Sequence, residues 1–193
     1  MDAHPILERA AHGELPAWSR VSAWRRSHME RVAALLSSWG EAYGLDEGER
    51  LRWAALGYLH DAVREDDPET LRPRVPPAFA HLPGKLLHGP AAAERLRMEG
   101  VEDGEFLNAV AFHTLGHPRL ARMGRALYAA DFLEPGRDLL NAWRAELRER
   151  MPGELDTVVR QVLRARIGHL VELGSPLRPE TVAFWNALTG LGR

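Results

Sequence analysis

A chain of 193 residues with 45% hydrophobic and 27% charged side chains has an ordinary globular make-up, long enough to bury roughly 70% of the surface its unfolded form exposes. Acidic residues outnumber basic ones by 27 to 25, for a formal charge of −2, which leaves no broad basic footprint for nucleic acid or an anionic membrane. Cysteine is absent, and with it go disulfides, thiolate nucleophiles, Cys-ligated zinc and iron–sulfur clusters.

The first residues, MDAHPILERAAHGELP, carry neither a basic n-region nor an apolar h-region, so no signal peptide is expected. Residues 1–20 are read as an N-terminal extension and 21–193 as one domain. No run of apolar residues is long enough to span a membrane, and a cytoplasmic protein is the expectation.

A period of 3.6 residues dominates from there on. His28, Val32, Leu35, Leu36 and Trp39 share one face of a helix over 17–43. Asp46, with Glu49 three residues on, predicts an N-cap of the capping-box type. The helix it opens, about 47–63, is apolar nearly all round and should be central. Residues 66–84 hold several prolines and read as an irregular loop with a turn or two of helix; a loop of this length often serves as a lid. Helices resume at about 89–99, 103–113 and 119–133, where Glu134-Pro135-Gly136 stops the chain. Three more follow: Asn141 to Arg150, Gly153 to Leu173 and Pro179 to Leu191. The expectation is an all-α bundle of seven to nine helices. Its tryptophans, Trp18, Trp24, Trp39, Trp53, Trp143 and Trp185, fall on helical stripes and are expected in the core.

Polar residues interrupt these apolar stripes, one helix at a time. His28 lies mid-helix, His60 and Asp61 end the central helix, and His88 stands just before a helix. His113 ends another, and Asp131 is near the end of the next. Singly, each has an ordinary structural role, as a satisfied core histidine, a turn residue or a helix-terminal cation. Together, buried unpaired, they would be costly, and a shared metal removes that cost for all at once. Ligands arriving one per helix are how metal sites in bundles are built. Imidazole plus carboxylate without thiolate suits iron, manganese, zinc or nickel. Six ligands suit two metals bridged by a carboxylate, for which Asp61 is the natural candidate. The resulting positive site favours a polyphosphate substrate.

Five segments in order, WRRSHMERV at 24–32, LGYLHDAVRED at 56–66, LLHGPAAAERL at 86–96, AVAFHTLGHP at 109–118 and LYAADFLEPGR at 127–137, resemble the HD-domain metal-dependent phosphohydrolases. Within that superfamily the chain is most similar to the YqeK-type symmetrical diadenosine tetraphosphate hydrolases. The resemblance implies an HD-domain helical bundle with metal ligands at His28, His60, Asp61, His88, His113 and Asp131. It also implies two divalent ions, iron foremost, and cleavage of the tetraphosphate into two ADP by metal-activated water.

Asp61 and Arg64 are then the expected catalytic residues, and Arg64, Thr114, Gly116, His117 and Arg137 the expected substrate contacts. Position 64 departs from the family, which commonly has lysine there; arginine keeps the charge and adds a bidentate fork but cannot give up a proton. Two alternatives stay open: an HD-type nucleotidase or phosphodiesterase acting on another nucleotide, and a weakly catalytic nucleotide-binding regulatory module. Neither nucleic acid nor membrane is an expected partner, and the apolar helix faces permit a homodimer without requiring one.

Overall fold

The computed structural model of the chain describes residues 4–137 and 141–190. Over these residues it has ten α-helices and no strand: α1 (Pro5–Ala11), α2 (Ala23–Ala42), α3 (Glu47–Leu59), α4 (Pro68–Leu71), α5 (His88–Met98), α6 (Gly104–Phe112), α7 (Arg122–Leu133), α8 (Asn141–Glu149), α9 (Leu155–Glu172) and α10 (Pro179–Thr189). The helices beyond those expected are α1 and α4, both too short to give a periodic signal. Their starts were nevertheless marked, since each opens with a proline in its first turn, a position where the missing N–H costs nothing.

Side-chain caps set three of the other starts. Ser22 accepts from Arg25 N, Asp46 from Glu49 N and Asp103 from Phe106 N. At α3 only half of the expected box forms, because the Glu49 carboxylate turns away to pair with Arg52 at 2.8 Å.

Two helices carry the core. On α3, Trp53, Ala54, Ala55, Leu56, Gly57 and Leu59 are buried. On α7 burial runs unbroken from Ala126 to Asp131. Helix α3 packs against α1 and α2 and reaches α6 and α7, while α7 packs against α2, α6, α8 and α9. Ile6, Leu7 and Ala10 of α1 belong to the same core cluster, so residues 5–11 are integral to the packing around α3.

Helix α3 ends at Leu59, earlier than the periodicity suggested, and α2 begins at Ala23 rather than near 17. Past Leu59 the chain tightens: the N–H groups of Ala62, Arg64 and Asp66 reach back three residues, to Leu59, Asp61 and Val63. The segment before α2 clamps this turn from outside. Ser19 Oγ donates to the Ala62 carbonyl at 2.8 Å, and Ser22 donates through both N–H and hydroxyl to the Glu65 carboxylate. Tertiary bonds thus override a pattern that would have carried the helix further.

The proline-rich stretch is not a free lid. It forms α4 and short 3-10 turns at Arg72–Arg74, Pro77–Phe79 and Gly84–Leu86. Leu71, Val75 and Leu82 are buried in the core, and Arg72 donates to the carbonyls of Ala80 and Leu82. Of the tryptophans, Trp39 and Trp53 are buried and Trp18, Trp143 and Trp185 pack partly against the core. Trp24, expected inside, is 67% exposed; it sits in the first turn of α2, where the stripe has not yet turned inward, and carries the Arg25 guanidinium on its ring face.

The α2–α3 crossing depends on Gly57. A Cβ there would lie 2.4 Å from Ala33 Cα and 2.6 Å from Ala33 N, and backbone cannot swing aside as a flexible side chain can. Gly57→Ala should therefore lower stability by about 2 kcal/mol or more, seen as a drop in Tm of roughly 4–8 °C. A variant melting like the parent would show that the crossing is looser than described.

Candidate metal centre

Where the helices converge, six polar residues are buried together: His28, His60, Asp61, His88, His113 and Asp131, all 8% exposed or less. These are the six that the sequence pattern singled out, and the fold brings every one of them into a single cluster.

The outer ring nitrogen of each histidine is fixed by an acceptor. His60 Nδ1 donates to the Gly57 carbonyl at 2.8 Å, His88 Nδ1 to Lys85 at 3.0 Å and His113 Nδ1 to Val110 at 2.8 Å. In all three the acceptor lies three residues back, at a helix end or tight turn where carbonyls are left open. His28 stands mid-helix, where backbone carbonyls are already engaged, and Glu134 takes the acceptor's place at 3.2 Å. A carbonyl or carboxylate oxygen only accepts, so each Nδ1 carries a proton, and on a neutral ring Nε2 then turns its lone pair inward.

Inside, those Nε2 atoms face the carboxylates and one another. His88 and His113 Nε2 lie 3.2 and 3.4 Å from Asp61 Oδ1; His28 Nε2 is 3.3 Å from Asp131 Oδ1 and 3.7 Å from Asp61 Oδ2. His60 Nε2 is 3.6 Å from Asp61 Oδ2. The Nε2 atoms of His28 and His60 are buried without an aligned hydrogen bond to anything. Those of His88 and His113 stand 3.1 Å apart, two lone pairs aimed at the same point. Orphaned, converging nitrogen donors beside bridging carboxylates fit divalent cations, which satisfy all of them at once. Two overlapping sets qualify geometrically, His28–His60–Asp131 and His60–Asp61–His113, each with donor atoms within 4.8 Å of one another.

Charge follows the same plan. Burial opposes ionisation of Asp61, but the neighbouring His60, His113 and His88 hold it well below the usual carboxylate range. Burial likewise opposes Asp131, and His28, Arg166 and Arg137 prevail over it. Complete burial pushes His60 down to about 4, and burial lowers His88 as well, so both are neutral donors. His28 goes the other way: burial would lower it, yet the Asp131 and Glu134 carboxylates lift it to about 9.

Around this centre lies a shell of cations. Arg25 pairs with Asp61 at 2.6 Å, Arg137 and Arg166 with Asp131 at 3.0 and 2.8 Å, and Arg31 with Glu134. Arg64, in the turn after Asp61, is half-buried with no side-chain partner among the described residues, and its charge helps to depress His88. Thr114 sits closer in, its hydroxyl 3.0 Å from His113 Nε2.

Gly116 and His117 lie to the side. Gly116 adopts φ +73°, and a Cβ there would meet Phe184 at 2.2 Å; its role is to turn the chain against α10. His117 stacks on Phe112 and accepts from Arg119 N, with no contact to the cluster.

Sequence reasoning missed Glu134, Arg25 and Arg166. Glu134 was in view, three residues after Asp131 at the end of the same helix, but a glutamate before proline also reads as a helix stop. Arg25 likewise stands three residues before His28. Arg166 gave no signal, being one arginine among many on an amphipathic helix.

Comparison with known proteins bears on the family and the fold. A family model described as HD domain matches residues 25–162. The chain is 26% identical to the symmetrical bis(5'-nucleosyl)-tetraphosphatase of Halalkalibacterium halodurans, over 85% of this chain and 88% of that one. With the Bacillus subtilis protein of the same name identity is 27%, over 88% and 91%. A crystal structure from Clostridium acetobutylicum, described as a predicted HD superfamily hydrolase involved in NAD metabolism, superimposes with a TM-score of 0.78 over 99% of both chains at 22% identity.

Glu134→Gln tests the outer ring of acceptors. The amide keeps the shape, but it weakens the hold on His28 Nδ1 and on Arg31. Divalent-metal affinity, measured by elemental analysis after equilibrium dialysis, should fall about 10- to 100-fold with helicity unchanged. Undiminished metal retention would show that His28 needs no such partner.

Proposed function

The chain belongs to the HD domain family, and from that premise we propose that it is a metal-dependent phosphohydrolase that cleaves diadenosine tetraphosphate symmetrically into two ADP. The observation that carries this reading is the buried convergence of four imidazole Nε2 atoms on two ionised carboxylates, ringed by guanidinium groups. The relatives named for symmetrical tetraphosphatase activity align over most of their own length and most of this chain's, which supports the choice of substrate.

His28, His60, Asp61, His88, His113 and Asp131 would hold two divalent ions, iron by preference with manganese the nearest substitute, since hard carboxylates and borderline imidazoles suit both. Bound there, the ions supply Lewis acidity and concentrated positive charge for the attack of water on a phosphoanhydride phosphorus. The protein's own part is preorganisation. Asp61 and Asp131 are held ionised, His60 and His88 are held neutral, and the acceptors behind each ring fix its direction before substrate arrives.

Arg64, without a side-chain partner among the described residues, is assigned to the phosphate chain. Arg137, 41% exposed along its side chain, holds the rim from which the same fork reaches phosphate oxygens. Thr114 offers a hydroxyl at the inner wall. The cytoplasm is the compartment assigned to it, as an enzyme acting on a free nucleotide. No helix among the described residues is long and apolar enough to cross a membrane.

Anaerobic incubation of the iron- or manganese-loaded protein with diadenosine tetraphosphate should give ADP as sole product, resolved by chromatography. AMP plus ATP would mean attack at a different phosphorus, and no product from a protein shown to carry metal would refute the substrate assignment. Asp61→Ala should abolish turnover with the helical circular dichroism retained. At position 64 the requirement is charge rather than proton transfer. Arg64→Lys should therefore keep near-parental kcat, while Arg64→Ala raises KM by about ten- to a hundredfold.

A further inference from the structure

A cavity of about 440 Å³ opens beside the metal centre, within the span of about 300–1,000 Å³ that small-molecule sites occupy. It is bounded by the turn before α5, the C-terminal half of α9 and the linker into α10. Three of its walls are bonded directly to cluster residues. The Lys85 carbonyl accepts from His88 Nδ1 at 3.0 Å, the Thr114 hydroxyl lies 3.0 Å from His113 Nε2, and Arg166 pairs with Asp131 at 2.8 Å. The cavity thus adjoins the centre, one wall residue removed from it at three points.

Its lining has the chemistry of a nucleotide. Leu86, Leu115 and Leu170 give apolar wall, Lys85, Arg166 and Arg178 give positive charge, and no carboxylate lines it. Neither Lys85 nor Arg178 has a side-chain partner among the described residues, and Arg166 Nε is buried without one. Two other cavities, of about 530 and 550 Å³, are each lined by carboxylates, Asp66 and Glu94 in the first and Glu41 and Glu47 in the second. Such linings repel a polyanion.

We propose that the cavity between α9 and the turn before α5 seats one nucleoside of the substrate. Its apolar walls take the base, and Lys85, Arg166 and Arg178 take the phosphates that lead to the metal centre. This rests on the phosphohydrolase reading, which it extends from the reacting phosphates to the nucleoside. It also gives a place to Lys85, the only lysine in the chain, at the mouth of that seat.

The single lysine makes the test sharp. Periodate-oxidised ADP carries two aldehydes in place of the ribose diol. An amine condenses with one of them, losing water to form an imine, and added cyanoborohydride reduces the imine to a stable secondary amine. Peptide mapping by mass spectrometry should place the adduct on Lys85, and excess unmodified ADP should suppress it.

Leu170→Trp, which fills the apolar wall, and Arg178→Ala, which removes a partner-free cation, should each lower ADP affinity about tenfold by calorimetry. Two independent variants keep the test valid if one fails to fold. Label confined to the N-terminal amine, label on Lys85 that ADP does not suppress, or unchanged ADP affinity in the folded variants would overturn the proposal. A protein that takes label at Lys85 but does not cleave the tetraphosphate would keep the seat and lose the hydrolase reading. One that cleaves without ADP-protected label would lose the seat alone.

Discussion

The bond from each histidine's Nδ1 to an acceptor behind it is the constraint on which the rest of the site depends. An imidazole buried without that bond is free to flip or to change tautomer, and its Nε2 would present a lone pair in one state and a proton in the other. Three of the rings take the carbonyl three residues earlier, which is available only where a helix or turn is ending. The fold meets that condition by stopping α3 at Leu59 and α6 at Phe112, so that His60 and His113 fall at the C-caps. His88 gains its acceptor from the 3-10 turn that precedes α5. Helix ends that would otherwise leave carbonyls unpaired become the supports of the centre.

The fourth ring shows what happens when that device is unavailable. His28 lies well inside α2, so its support comes from Glu134, more than a hundred residues on. A buried glutamate brings its own cost, which Arg31, Arg137 and the Gly136 N–H offset. Burial opposes ionisation of Glu134, but His28 first, then Arg31 and the Gly136 N–H, lower its carboxyl to about 2. One histidine in mid-helix has thus drawn in a carboxylate and three donors. The same logic extends to Arg166, which spans from Asp131 to the Thr114 carbonyl and ties α9 to both halves of the cluster.

What the sequence disclosed follows from how each residue advertises itself. The six clustered residues were legible because each breaks an apolar stripe, and a buried polar group demands a reason. The main helices were legible from period and caps. Boundaries were not, where tertiary bonds decided them: Ser19 and Ser22 clamp the turn after α3 through contacts 43 residues away. Arg25 and Arg166 were hidden by a composition in which arginine is the default cation. At Gly116, expected as a substrate contact, φ +73° and the Phe184 ring supply a packing reason for glycine that the sequence alone did not show.

Symmetrical cleavage is finally a matter of distance rather than of chemical selectivity. Adjacent phosphoanhydride phosphorus atoms in a polyphosphate chain differ little in reactivity, and the imidazole–carboxylate cluster contains nothing that counts them. Counting requires a fixed origin, a seat that holds one nucleoside and lets a set number of phosphates reach the reacting position. A cavity bonded to the cluster through Lys85, Thr114 and Arg166 supplies that origin with little play, because each tie is a single hydrogen bond or ion pair long. Two phosphates between seat and centre would place the scission at the midpoint and release ADP from both sides. One phosphate more or fewer would give ATP and AMP from the same metal site. The register of cleavage then resides in the walls around Lys85 and Arg166, whereas the capacity to cleave resides in the histidines.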